Sequence, residues 1–160
     1  MNTHRLPLLI SVFFLIIPAI TAGAPNPESA YAWKQETENY RVYVGVVPAS
    51  EVTNPPRVAD EQKQIHGALP EKVKDTSHVM VTVYRKLGNT RVTNATIIAD
   101  VGLRDGNKTV KPLEKMELKG RVAYGNFFTV HQEKEHEVRI KIYEPNRNGY
   151  EEAIFSHTGF

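Results

Sequence analysis

The sequence predicts an all-β protein, an antiparallel β-sandwich of seven or eight short strands. Three observations carry this. Residues 77–84 and 136–143 alternate apolar and polar side chains with a period of two, the signature of a strand with two unlike faces. Turn residues recur at close spacing, as in Leu87-Gly88-Asn89-Thr90, Arg104-Asp105-Gly106-Asn107 and Pro145-Asn146-Arg147-Asn148-Gly149. No long segment after the leader shows the 3.6-residue apolar period of an amphipathic helix. A small barrel is the alternative that the same pattern allows.

The amino-terminal residues 1–24 read as a secretory signal peptide. Arg5 supplies the basic start, residues 8–17 form an apolar run broken only by Ser11, and Ala19-Ile20-Thr21-Ala22-Gly23-Ala24 supplies the small-residue end. The run is short for a membrane span, which takes about twenty residues. Cleavage after Ala22 is expected, leaving a periplasmic protein with no membrane span. No cysteine follows the run, so a lipoprotein anchor is excluded.

Removal of the leader leaves 19 basic against 18 acidic side chains, a net charge of +1. Such a balance argues against non-specific nucleic-acid binding. Cysteine is absent, so no disulfide, thiolate ligand or cysteine nucleophile exists. An exported domain without disulfides fits a bacterial periplasm better than a eukaryotic secretory route.

The elements follow in order. Residues 25–38 are a polar lead-in that brings Tyr31 and Trp33 towards the domain, which itself spans residues 39–160. Residues 40–47 form a strand with Val42, Val44 and Val46 on one face; Gly45 inside it suggests a bulge or a close approach, and Pro48 ends it. Residues 49–74 are irregular around Asn54-Pro55-Pro56, with a short helix expected over 58–65 and a loop at His66-Gly67. In residues 77–84 Val79, Val81 and Val83 face the core, while His78 and Met80 share the other face. Residues 95–101 turn Ala95, Ile97, Ala99 and Val101 inward. Asp105-Gly106 then marks a hairpin. Residues 109–118 hold one or two short strands around Pro112. Gly125-Asn126 separates a strand at 121–124 from one at 127–130. Residues 136–143 point Val138, Ile140 and Ile142 inward and Glu137, Arg139 and Lys141 outward. A strand over 150–156 closes the domain.

Catalytic signatures are missing. There is no Gly-x-Ser-x-Gly elbow and no phosphate-binding glycine loop after a strand. Glu133, Glu135 and Glu137 fall in a turn or on an outward face, where solvated charge is the usual role. The chain is therefore read as non-enzymatic. His78 and Met80 form a His-x-Met pair on one strand face, Met116 lies on a neighbouring short strand, and His66 sits in the loop that leads to His78. Imidazole and thioether without thiolate suit copper, above all Cu(I), with iron second. The competing reading makes Met80 and Met116 gap fillers and leaves His78 in solvent. His131 and His136 flank a charged turn and are expected to be solvated.

Tyr43-Val44-Gly45-Val46-Val47-Pro48, the loop with His66-Gly67, the strand from His78 to Tyr84, Leu113-Glu114-Lys115-Met116 and Tyr124-Gly125-Asn126-Phe127-Phe128 together resemble a group of small bacterial periplasmic domains. These are the iron-transport proteins of the P19 and Tp34 type and the CopC-like and YtkA-like domains. The resemblance implies an immunoglobulin-like sandwich and a metal-binding or delivery role with His and Met ligands, handing the ion to a metal-transport partner. The other expectation is a metal-free module that presents a sheet face or edge to a protein of the envelope.

Overall fold

The structure, a computed structural model, describes residues 32–53, 74–118, 120–130 and 134–158. The signal peptide, the helix expected over 58–65, His66 and His131 lie outside the described residues. Within them the chain forms β1 (Ala32–Glu36), β2 (Tyr40–Pro48), a five-residue helix α1 (Ala49–Thr53), β3 (Thr76–Arg85), β4 (Thr96–Leu103), β5 (Lys108–Pro112), β6 (Glu114–Leu118), β7 (Arg121–Thr129), β8 (Glu135–Tyr143) and β9 (Glu151–Thr158). One sheet has the order β1-β2-β3-β7-β6 and the other β5-β4-β8-β9. Every pairing is antiparallel. The architecture is the expected immunoglobulin-like sandwich, with nine strands among the described residues in place of seven or eight.

The core lies between the sheets. Val79, Val81 and Val83 of β3 interdigitate with Val42 and Val44 of β2, Ile97, Ala99 and Val101 of β4, and Val138, Ile140 and Ile142 of β8, all buried. β-branched side chains at alternate positions serve twice here. They suit extended backbone, and they supply one apolar face per strand. Tyr124 and Phe128 of β7 complete this core.

The chain changes sheet between β5 and β6. Leu113 is the hinge: its side chain is buried, and its amide donates to the Ile97 carbonyl at 2.8 Å. Pro112, which cannot donate to a ladder, ends β5 just before it. The sequence reading placed the break correctly.

Several expectations are corrected. The lead-in contributes a strand, because residues 32–36 pair with residues 41–45 and Trp33 packs against the core. Gly45 makes no bulge; it stands in unbroken register between Ala32 and Met80. Gly125 does not divide two strands, because β7 runs through it. His136 is not solvated: it is 1 % exposed, and its Nδ1 lies 2.8 Å from the Lys134 carbonyl. Glu137 faces outward as expected yet is buried, since Lys108 and Arg139 both donate to its Oε1 at 2.6 Å. Those two cations hold its carboxyl below the ordinary range.

Candidate metal centre

The site is built on the outer face of the five-stranded sheet. The period of two that buries Val79 and Val81 turns His78 and Met80 to that face. In the β3–β7 pairing His78 stands opposite Phe127 and Met80 opposite Gly125. In the β6–β7 pairing Glu114 stands opposite Gly125 and Met116 opposite Ala123. Paired residues share a face, so His78, Met80, Gly125, Phe127, Glu114 and Met116 all belong to one patch across three strands.

Phe127 fixes the imidazole. The two rings lie 4.7 Å apart between centroids, tilted by 49°. The Phe127 amide donates to its neighbour Asn126 Oδ1 at 2.8 Å, and its carbonyl accepts from Lys111 Nζ at 2.8 Å. Both backbone groups therefore point away from β3. His78 and Phe127 form a narrow, non-hydrogen-bonded pair, the kind in which opposite side chains approach closest. The same two side-chain bonds cap the free edge of β7 beyond β6, which blunts strand addition there.

Gly125 makes the room. A Cβ placed on it would lie 2.7 Å from the Met116 methyl carbon, 2.8 Å from His78 Cε1 and 2.9 Å from His78 Nε2. The imidazole and the Met116 methyl group thus converge on the volume that any other residue at 125 would fill. This is a reason for glycine in mid-strand: close approach.

The electrostatics are those of a dry site. His78 is 2 % exposed and Met116 1 %. Burial pushes the His78 pKa down to about 4, so the ring is neutral at pH 7 and carries a lone pair on one nitrogen. Nε2 is buried and has no hydrogen-bond partner. A buried polar atom left unpaired costs about 1–3 kcal/mol and calls for a partner of some kind. Among the described residues no group of three His, Asp or Glu side chains comes together for a metal.

Of the residues singled out from sequence, the structure brings His78 and Met116 together. Met80 is their neighbour on the same face, half-buried and set between Gly45 and Gly125 in the register. His66 lies outside the described residues. Sequence reasoning missed Gly125, Phe127 and Glu114 as parts of the patch. Gly125 carried a signal, a glycine beside aromatic residues, but a turn explains such a glycine equally well from sequence.

No protein-family profile matches the chain, and no curated protein sequence matches it. Solved structures do match. A DUF4426 family protein from Pseudomonas aeruginosa superposes with a TM-score of 0.55 at 18 % identity, over 81 % of this chain and 94 % of that one. A copper-bound variant of FetP from uropathogenic Escherichia coli gives 0.54 at 13 % identity, over 81 % and 98 %. A copper-bound variant of P19 from Campylobacter jejuni gives 0.50 at 14 %, over 81 % and 96 %. At these identities the likeness is one of fold, and it is the fold that the P19-type resemblance implied.

Proposed function

We propose that this chain is an exported, non-enzymatic metal-binding protein that holds a soft cation, Cu(I) foremost and iron second, between His78 and Met116 with Met80 beside them. The observation that carries the reading is the buried, unpartnered Nε2 of His78 facing the Met116 methyl group across the gap over Gly125. Neutral imidazole and thioether are the donor pair that soft monovalent ions prefer. The pair comes from two strands locked in one sheet, so it is preorganised and little ordering is lost on binding. Copper-bound FetP and P19 share the fold, which supports the reading. His66, in the segment before β3, is the remaining donor candidate. A periplasmic location accords with the secretory leader read from residues 1–24. Among the described residues no helix is long and apolar enough to cross a membrane. A transport protein of the envelope is the partner this role requires.

The test is a titration with Cu(I) under reducing conditions, on the native chain and on two variants, Met116→Leu and the double variant His78→Ala with Met80→Leu. The native chain is expected to bind one ion and both variants to lose at least tenfold in affinity. Equal affinity in all three would remove these residues from any site. No binding by the native chain would leave the metal-free interaction module as the better account.

A further inference from the structure

We propose that Met80 is a modification site: hydrogen peroxide converts its thioether to the sulfoxide in the folded protein while Met116 is spared, and this oxidation weakens the hold on a soft cation. The last clause rests on the metal-binding reading above; the selectivity does not. The chain has three methionines, Met1, Met80 and Met116, and Met1 belongs to the leader. The two that remain differ in access. Met116 is 1 % exposed although it lies on the edge strand β6, and its methyl carbon closes over Gly125. Met80 is half-buried on the central strand β3. Its register partners are Gly45 in β2 and Gly125 in β7, so no side chain stands directly opposite it on either neighbouring strand. Conversion of methionine to its sulfoxide follows exposure of the sulfur.

The step needs no reactant beyond the peroxide. A sulfur lone pair attacks one peroxide oxygen and the O–O bond breaks as the S–O bond forms. The hydroxide that leaves takes the proton from the new S–OH group and departs as water. Sulfur gives up two electrons and the peroxide accepts them.

The product changes the donor set in two ways. A soft thioether becomes a polar group whose oxygen accepts hydrogen bonds, and softness is what a monovalent ion such as Cu(I) selects. The new oxygen also enters the reach of His78. The two residues share a face about 7 Å apart along the strand, and methionine has three rotatable bonds to span that distance. The buried Nε2 of His78 has no hydrogen-bond partner. A sulfoxide oxygen gives it one, which favours the tautomer protonated at Nε2 and removes the lone pair that an ion would use.

The experiment treats the full exported chain, free of metal, with graded hydrogen peroxide. Mass spectrometry of its peptides then follows the gain of one oxygen at Met80 and at Met116. In the folded protein Met80 is expected to react about tenfold faster or more, and in urea the two are expected to react alike. Equal rates in the folded protein, or a faster Met116, would overturn the assignment of Met80. Affinity for Ag(I), a soft probe without redox chemistry, is measured before and after treatment, with the peroxide removed, on the native chain and on Met80→Leu. Oxidation is expected to lower the affinity of the native chain about tenfold and to leave that of Met80→Leu where it was. An equal change in both would overturn the coupling of Met80 oxidation to the metal site. Selective oxidation of Met80 in a native chain that never binds Ag(I) would overturn the metal-binding reading and leave the modification site standing.

Discussion

Tyr40 Oη donates to Glu144 Oε2 at 2.7 Å, and this bond joins the start of β2 in one sheet to the end of β8 in the other. Arg85 from the end of β3 also donates to Glu144. Arg147 lies over the Tyr40 ring and pairs with Glu151 at 2.8 Å, and Glu151 in turn accepts from the Asn39 amide and side chain. Strand ends and turns from both sheets are tied at this pole. Burial and the adjacent Glu144 carboxylate push the Tyr40 pKa up to about 12, so the phenol keeps its proton throughout the physiological range. Tyr40→Phe is expected to lower stability by about 1.5–3 kcal/mol, the usual worth of a hydrogen bond to a charged group. Urea unfolding at pH 7 measures it. An unchanged midpoint would show that Arg85 alone satisfies Glu144.

Gly125→Ala tests the cradle from the other side. Its Cβ would press on the Met116 methyl and the His78 ring, and overpacking of this kind costs about 1–3 kcal/mol. The variant should fold with that loss of stability and should no longer bind Cu(I), although no ligand atom has been removed. Retained affinity would place the ion elsewhere.

The pH dependence differs from what an ordinary histidine would give. In the unfolded chain His78 takes up a proton near its usual 6.5, but in the folded chain only near 4. Between those values the unfolded state binds the proton and the native state does not, so stability falls as pH drops through the window. A shift of this size amounts to about 3 kcal/mol in full. His78→Leu should flatten the decline between pH 6.5 and 4, measured by denaturant unfolding at several pH values. An ordinary imidazole would lose a metal as pH falls through about 6.5, because a protonated ring cannot coordinate. Burial moves proton competition down towards 4, so Cu(I) affinity should be largely held at pH 5.5.

The core is checked at Ile140, which is fully buried against both sheets. Ile140→Ala should cost about 2–5 kcal/mol through the cavity it leaves. Ile154 on the edge strand β9 is 41 % exposed, and Ile154→Ala should stay within about 0.5 kcal/mol. Similar losses in the two variants would contradict the register of β8 and β9.

The fold was legible because periodicity is a local property. Alternating valines at 79, 81 and 83 and the Val138, Ile140 and Ile142 series dictate extended backbone with one apolar face, and Asp105-Gly106 dictates the hairpin between β4 and β5. Residues that break no pattern but take their role from a neighbour were not legible. Lys34, Gln35 and Glu36 carry no core signal, yet they form a strand because the edge of β2 accepts them. Glu137 reads as a surface charge until Lys108 arrives from β5 to cover it.

The same division runs through the candidate site. The sequence alone determined that His78 and Met80 share a strand face, since two residues of extended chain return a side chain to the same side, and that the chain has soft donors without thiolate. Only the tertiary structure decided that Met116 meets His78. Thirty-seven residues lie between them in the chain, and their meeting depends on β7 inserting between β3 and β6 with a glycine at the crossing point. It also decided that the imidazole is dry, with Phe127 against it and its Nε2 unpartnered. Burial and convergence are sums over strands distant in sequence, and no local pattern encodes such a sum.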